Sequence, residues 1–257
     1  MTKIAIIGVG QMGSAIIEGL SNISNNVIIG ENPINPRVDK LAQKLNFTLV
    51  NTIDDLVKLQ PEAIILTTPA PLTLQIASNL QNLSSNCVII SAAAGISYDQ
   101  LNQVLPNHQI ARIIPNTPVA INAGTIGLFL PTNLTEKSKD LIHTILDPLG
   151  DVIIVKEDQF SIVGTIGGCG PAFVDVFLDA LGDAGVLNGI PRSLANELAA
   201  SMVKGTASLA YETKKAPALL RDQVCSPGGT TIKGVVSLEK DGFRNAIINA
   251  INSANKN

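Results

Sequence analysis

Short apolar runs alternate with helical patterns along the first 157 residues. Residues 3–8, 27–30, 63–68, 88–91 and 110–114 are rich in Ile, Val, Ala and Leu and show little polar alternation. Strands covered on both faces have that signature. Between them, residues 11–23, 37–46, 72–83 and 98–105 carry apolar positions at helical spacing. Ser97 and Gln100 form a capping-box pattern at the last of these helices. The rhythm predicts an α/β fold with a parallel, doubly wound sheet of Rossmann type. Residues 124–130, 134–149 and 151–155 add a strand, a helix and an edge strand.

After residue 157 the strand pattern stops. Residues 158–188, 192–213, 218–224, 231–240 and 243–254 all read as helices. The expected organisation is therefore a dinucleotide-binding domain over 1–157 and an all-α C-terminal domain over 158–257. The first of these helical stretches contains Gly167-Gly168-Cys169-Gly170-Pro171. A proline inside a helix removes a backbone bond and collides with the preceding turn, so a kink or a short loop is expected there. About 100 residues of helix without a sheet bury little surface alone. The many Ala and Gly residues permit close helix approach, and dimerisation through this half would supply the missing cover.

Composition narrows the function. Net charge is −3, aromatic residues make up 3% and Trp is absent. Nucleic-acid binding calls for a basic face and stacking platforms, and neither is present. No apolar run is expected to reach membrane-spanning length, so no membrane partner is expected. Cys87, Cys169 and Cys225 are odd in number and widely spaced, which fits neither a disulfide framework nor a zinc site. A reduced, cytoplasmic compartment follows as the expectation, and the N-terminus carries no leader pattern.

Gly8-Val9-Gly10-Gln11-Met12-Gly13 follows a predicted strand and opens a predicted helix. The glycines allow a tight turn, close approach to a pyrophosphate and close helix–strand packing. The helix N-terminus then faces the phosphates. This context makes the segment a dinucleotide site, with Gly8, Gly10, Gln11, Met12 and Gly13 as its residues. The second strand ends at Gly30-Glu31-Asn32-Pro33. An acid there accepts hydrogen bonds from the adenosine ribose and opposes a 2′-phosphate. The cofactor is NADPH or NADH, and Glu31 points to NADH being used at least as well. Arg37 is the opposing candidate, as a phosphate ligand; its plainer role is the first turn of a solvent-facing helix.

Residues 217–239 hold a second site signal. A helix runs into Ser226-Pro227-Gly228-Gly229, and another helix leaves from Thr230-Thr231. The glycines can take backbone angles that other residues avoid. The following first turn offers free amides and a partial positive charge, an anion cup suited to a carboxylate. A capped helix–turn–helix corner would show the same residues.

That segment resembles the signature of the pyrroline-5-carboxylate reductases. Pro217, Leu220, Val224, Cys225, Ser226, Gly228, Gly229, Thr231, Gly234, Val235, Leu238 and Glu239 fill its positions without a mismatch. The resemblance extends, in order, over nearly the whole chain. It implies a Rossmann domain followed by a helical dimerisation domain, a homodimer or higher homo-oligomer, and reduction of the cyclic imine 1-pyrroline-5-carboxylate to proline. It places the substrate on Val224, Gly229, Thr230 and Thr231, with Thr231 as the catalytic residue beside the ring nitrogen. It places the cofactor also on Asn32, Thr67 and Thr68, with Ala92, Ala93 and Asn116 along the nicotinamide half. Two stretches depart from the pattern. Thr67-Thr68-Pro69 stands where relatives have Val-Lys-Pro. Gly167-Gly168-Cys169-Gly170-Pro171-Ala172 stands where they have Ser-Gly-Ser-Gly-Pro-Ala.

The chain has no obvious general base. His108 and His143 both read as surface residues, and no His, Cys or Asp cluster has metal-ligand spacing. Reduction of a protonated imine needs no proton donor, because its nitrogen already carries the charge; position and electrostatics suffice. A β-hydroxyacid dehydrogenase, the competing enzyme class, calls for a Lys or similar group on the first helix of the second domain. Residues 158–191 contain no Lys, Arg or His. A non-catalytic cofactor-sensing paralogue is the third reading, suggested by the two altered stretches.

Overall fold

The computed structural model describes residues 1–23 and 26–255; residues 256 and 257, the end of the expected second domain, lie outside the described residues. Two compact units divide between Gly168 and Cys169.

The first unit opens with β1 (Thr2–Ile7), α1 (Gln11–Ser21), β2 (Asn26–Glu31), α2 (Pro36–Leu45), β3 (Thr48–Val50) and α3 (Ile53–Lys58). It continues with β4 (Ala63–Leu66), α4 (Ala70–Ser78), β5 (Val88–Ser91), α5 (Tyr98–Val104) and β6 (Gln109–Ile114). A 3₁₀ turn (Thr117–Ile121), β7 (Gly124–Phe129), α6 (Glu136–Leu146) and β8 (Gly150–Ile154) follow. The eight strands form one sheet in the order β3-β2-β1-β4-β5-β6-β7-β8. The chain reverses its direction of travel across the sheet between β1 and β4, the switch point at which such sheets bind ligands. All neighbours are parallel, as expected of the βα rhythm, except β6 and the added strand β7, which pair antiparallel.

The apolar runs are explained by burial on both faces. Ile4 and Ile6 of β1 pack with Ile16, Ile17 and Leu20 of α1 on one side. Ala5 and Ile7 pack with Leu56 of α3 and Ala77 of α4 on the other. Ile64 and Leu66 face the second side, while Ala63 and Ile65 face the first.

Four differences from the sequence expectation have physical causes. First, β3 and α3 lie where no element was expected. β3 has three residues, too few to show a period; α3 is announced only by its cap, Thr52 Oγ1 accepting from Asp55 N at 3.2 Å. Second, His108 is buried at 7% exposure rather than on the surface. Third, no loop opens at Pro171. α7 (Phe160–Val163) runs into a π turn (Gly164–Cys169) and then into α8 (Gly170–Leu187), and Pro171 sits in the first turn of α8, where its missing amide costs little. Fourth, the result is a helical stretch of 31 residues, Glu157–Leu187, long and apolar enough to cross a membrane by length and composition. That corrects the expectation that no stretch reaches such length.

The second unit contains α8, α9 (Arg192–Thr213), α10 (Pro217–Val224), α11 (Thr230–Lys240) and α12 (Phe243–Ala254). α8 and α9 pack closely at Gly185, where an added Cβ would lie 2.6 Å from the Ala195 methyl. Among its described residues only Ala195, Ala199 and Leu220 are buried apolar side chains. Val176, Leu187, Leu198, Leu209, Leu219 and Val236 are more than half exposed. A unit with so little core needs another surface to cover it.

Candidate active site

The cofactor half is built at the end of β1. Ser14 N is the first amide to close a helical bond, onto Gly10 O at 3.0 Å, which leaves the amides of Gln11, Met12 and Gly13 at the open end of α1. Gly13 must be glycine: a Cβ there would lie 2.3 Å from Gly8 O and 2.8 Å from Thr67 Oγ1. The Thr67 hydroxyl donates to Gly8 O at 2.7 Å and has Ile7 O at 3.0 Å, tying the loop to the end of β4.

A cleft of about 540 Å³ opens on this turn, with Gly8, Gly10, Gln11, Asn32, Thr67 and Thr68 in its wall. Six of the sequence-derived cofactor residues are thus brought together. Pro69, Ala70 and Ala94 line it as well and were not among the expected site residues. The signal for Ala94 was present in the run Ala92-Ala93-Ala94. Only the third is exposed; Ala93 is buried in the core and Ala92 packs against it.

Other expected residues take supporting positions. Met12 is half-buried against the core. Asn116 is buried, its Nδ2 donating to Gly167 O at 3.0 Å and its Oδ1 accepting from Thr125 N at 2.8 Å. It joins the end of β6 to β7 and to the π turn. Asn32 Oδ1 accepts from Val9 N at 3.0 Å, and its Nδ2 donates to Pro33 O at 2.7 Å. Arg37 is exposed in the first turn of α2, as expected, and its guanidinium also bonds inward: Nη1 donates to Ser14 Oγ at 3.1 Å and Nη2 to Val9 O.

Glu31 ends β2 at 6% exposure. Burial pushes its carboxyl above the usual carboxylate range. Its backbone oxygen accepts from Gly8 N at 2.9 Å. The carboxylate has no cation beside it among the described residues, so it seeks hydrogen-bond donors, as a ribose diol would provide. The bare glycine turn, the open amides and this acid fit an NAD(P) dinucleotide.

In the second unit, Gly228 takes φ +70° and Gly229 caps α11 with no side chain. Gly229 N donates to Ser226 O at 3.1 Å, closing the turn. Thr230, Thr231 and Ile232 begin the helix, so their amides are its open donors. Thr230 and Thr231 are exposed, and neither hydroxyl has a partner among the described residues. Val224 ends α10 at 66% exposure. All four expected substrate residues therefore lie on one uncapped turn and the helix before it. Glu239, at the end of the signature, pairs with Arg244 and is structural.

Neither histidine belongs to these clefts. His143 Nδ1 lies 3.0 Å from Asp147 Oδ1 one helical turn away, and His108 precedes β6, at the opposite end of its strand from Asn116. Burial pushes the Cys87 thiol up to about 12, which keeps it protonated. Among the described residues no three His, Cys, Asp or Glu side chains gather as metal ligands.

A family model of pyrroline-5-carboxylate reductase dimerisation matches residues 157–257. Its first residue is also the first of the long apolar helical stretch. A model described as NADP oxidoreductase, coenzyme F420-dependent, matches residues 3–95. The pyrroline-5-carboxylate reductase of Synechocystis sp. is 35% identical over 98% of this chain and 95% of its own. That of Escherichia coli is 33% identical over 97% of this chain and 94% of its own. The crystal structure of Plasmodium falciparum pyrroline carboxylate reductase with NADP bound superposes with a TM-score of 0.86 at 26% identity, covering 99% of this chain and 96% of that one.

Proposed function

We infer the working of the site from one premise: this chain belongs to the pyrroline-5-carboxylate reductase family. It reduces the cyclic imine 1-pyrroline-5-carboxylate to L-proline, the last step of proline biosynthesis, with NAD(P)H. The bound nicotinamide supplies the hydride; every other task falls to the chain. In the first unit the amides of Gln11, Met12 and Gly13 take the pyrophosphate at the positive end of α1. Glu31 accepts from the adenosine ribose, and Thr67, Thr68 and Ala94 shape the cleft wall. Ala92, Ala93 and Asn116 lie along the nicotinamide half, as the resemblance implies.

In the second unit the open amides of Thr230 and Thr231, with the bare Gly229 before them, take the substrate carboxylate. The Thr231 hydroxyl bonds the ring nitrogen and orients the carbon to be reduced, while Val224 packs on the ring. The protonated nitrogen already carries the charge that reduction removes, so no side chain has to give up a proton. That accounts for a site without a free histidine. The observation that carries this reading is the first turn of α11, left uncapped by any side chain and flanked by two unpartnered hydroxyls.

The family is one with a dimerisation domain, and the chain forms a homo-oligomer. The assembly proposed is a homodimer whose interface is built mainly by residues after Glu157, where many apolar side chains are exposed. Three unpaired cysteines suit the cytoplasm. The test is oxidation of NADH and of NADPH by purified protein with 1-pyrroline-5-carboxylate. One proline per nucleotide oxidised is expected; no oxidation of either nucleotide would overturn the reading, in favour of a cofactor-sensing protein.

A further inference from the structure

The middle residue of the glycine turn is held from both sides by the segment after β2. Val9 N donates to Asn32 Oδ1 at 3.0 Å, and Val9 O accepts from Arg37 Nη2. The Val9 side chain is fully buried in the core. Both backbone polar groups and the side chain of this residue are therefore fixed at once. The two clamps are themselves braced. Asn32 N donates to Val50 O at 3.1 Å, and Asn32 O accepts from Asn51 Nδ2 at 2.9 Å. Arg37 is aimed by the start of its helix: Asn35 caps α2 and accepts from Arg37 N at 3.0 Å, with Pro36 in the first turn. Arg37 Nη1 also reaches Ser14 Oγ, one turn into α1.

Holding Val9 decides which amides remain for a ligand. With Val9 N and O turned toward the protein, Gly10 N closes onto Gly8 O at 2.9 Å, and the next three amides face outward. A glycine-rich turn left free would have to be ordered when a pyrophosphate arrives, and that ordering would be subtracted from affinity. We propose that Asn32 and Arg37 are positioning residues that preorganise the pyrophosphate turn through Val9, and that Arg37 therefore serves NADH and NADPH alike instead of reading the 2′-phosphate. The proposal rests on the first unit as the dinucleotide-binding half. Two of the five guanidinium N–H groups are committed to Ser14 and Val9, which turns the Arg37 head toward the glycine turn.

Dissociation constants for NADH and NADPH, from nucleotide fluorescence on the full-length protein, test it. Arg37→Met weakens both nucleotides by the same factor, about tenfold, the scale of one charge-assisted hydrogen bond. Arg37→Lys, which can still donate to Val9 O, recovers part of the loss for both. Asn32→Ala behaves as Arg37→Met does, and the double variant loses less than the product of the two, because both clamps act on one residue. KM for the nucleotide rises more than kcat falls. Loss of NADPH binding with NADH binding intact would overturn the proposal, since it would make Arg37 a phosphate ligand. Unchanged binding of both nucleotides in Arg37→Met and Asn32→Ala would overturn it too. Should Arg37→Met fail to fold, Arg37→Lys and Asn32→Ala decide by the same ratio. Absence of NADH and NADPH binding to the unsubstituted protein would instead overturn the reading of the first unit.

Discussion

Arg112 near the end of β6 and Glu157 just before α7 form an ion pair at 2.5 Å, with only 7% of the arginine side chain exposed. Glu157 Oε1 also accepts from Tyr98 N at 2.6 Å, and the guanidinium lies 4.4 Å above the Phe160 ring. The pair fastens the start of the long helical stretch to the sheet. Removing the acid leaves a buried cation and an unpaired amide. Glu157→Ala is expected to cost about 2–3 kcal/mol of unfolding free energy in urea. Replacing both partners, Arg112→Met with Glu157→Leu, should cost less than that single change. Equal stability of Glu157→Ala and the unsubstituted protein would contradict this.

In the proposed site, cofactor choice is assigned to Glu31. A buried acid at the ribose position favours the diol over a 2′-phosphate. kcat/KM with NADH should equal or exceed that with NADPH. Glu31→Ser should shift the ratio toward NADPH by about fivefold, the scale of roughly 1 kcal/mol. An NADPH preference unaltered by the substitution would remove Glu31 from the choice.

The strands, the glycine turn and the uncapped turn before α11 were legible because each depends on neighbours in sequence. Two-sided burial produced the unbroken apolar runs, and Gly228-Gly229 before Thr230 marks a helix start. What was not legible depends on distant contacts. Arg37 is the exposed residue its position suggests, but its bond to Val9 spans 28 positions. The bonds of the Asn116 amide to Thr125 and Gly167 join residues 9 and 51 positions away, which no local pattern shows. His108 lies in a polar turn whose burial comes from packing, not from sequence pattern. A kink or loop is expected at Pro171, and the π turn that stands ahead of it instead has no sequence period of its own.

His108 makes stability depend on pH. Burial lowers its pKa, and neither ring nitrogen has a well-formed hydrogen bond among the described residues. In the unfolded chain it takes up a proton as pH falls through about 6.5, while the folded chain does not. Stability is therefore lost from about pH 6.5 downward, and the loss levels off below the lowered folded value. The fall in Tm between pH 7.5 and roughly 5.5 should be smaller in His108→Leu than in the unsubstituted protein. Parallel falls would contradict the assignment.

Assembly is tested by sedimentation at assay concentration. The expected species is two chains, because the second unit has three buried apolar side chains and many exposed ones. Leu198→Glu with Met202→Glu, both on exposed positions of α9, should lower the assembled fraction and activity together. A stable, active monomer would contradict the dimer.

The central claim is that the first turn of α11 holds the substrate and that Thr231 orients it. The most direct test compares Thr231→Ala with the unsubstituted protein in proline formation at saturating NADH, alongside NADH binding. Loss of one positioned hydrogen bond, about 1–3 kcal/mol, predicts turnover lower by roughly 5- to 150-fold with the NADH dissociation constant unchanged. Turnover equal to that of the unsubstituted protein would contradict the claim.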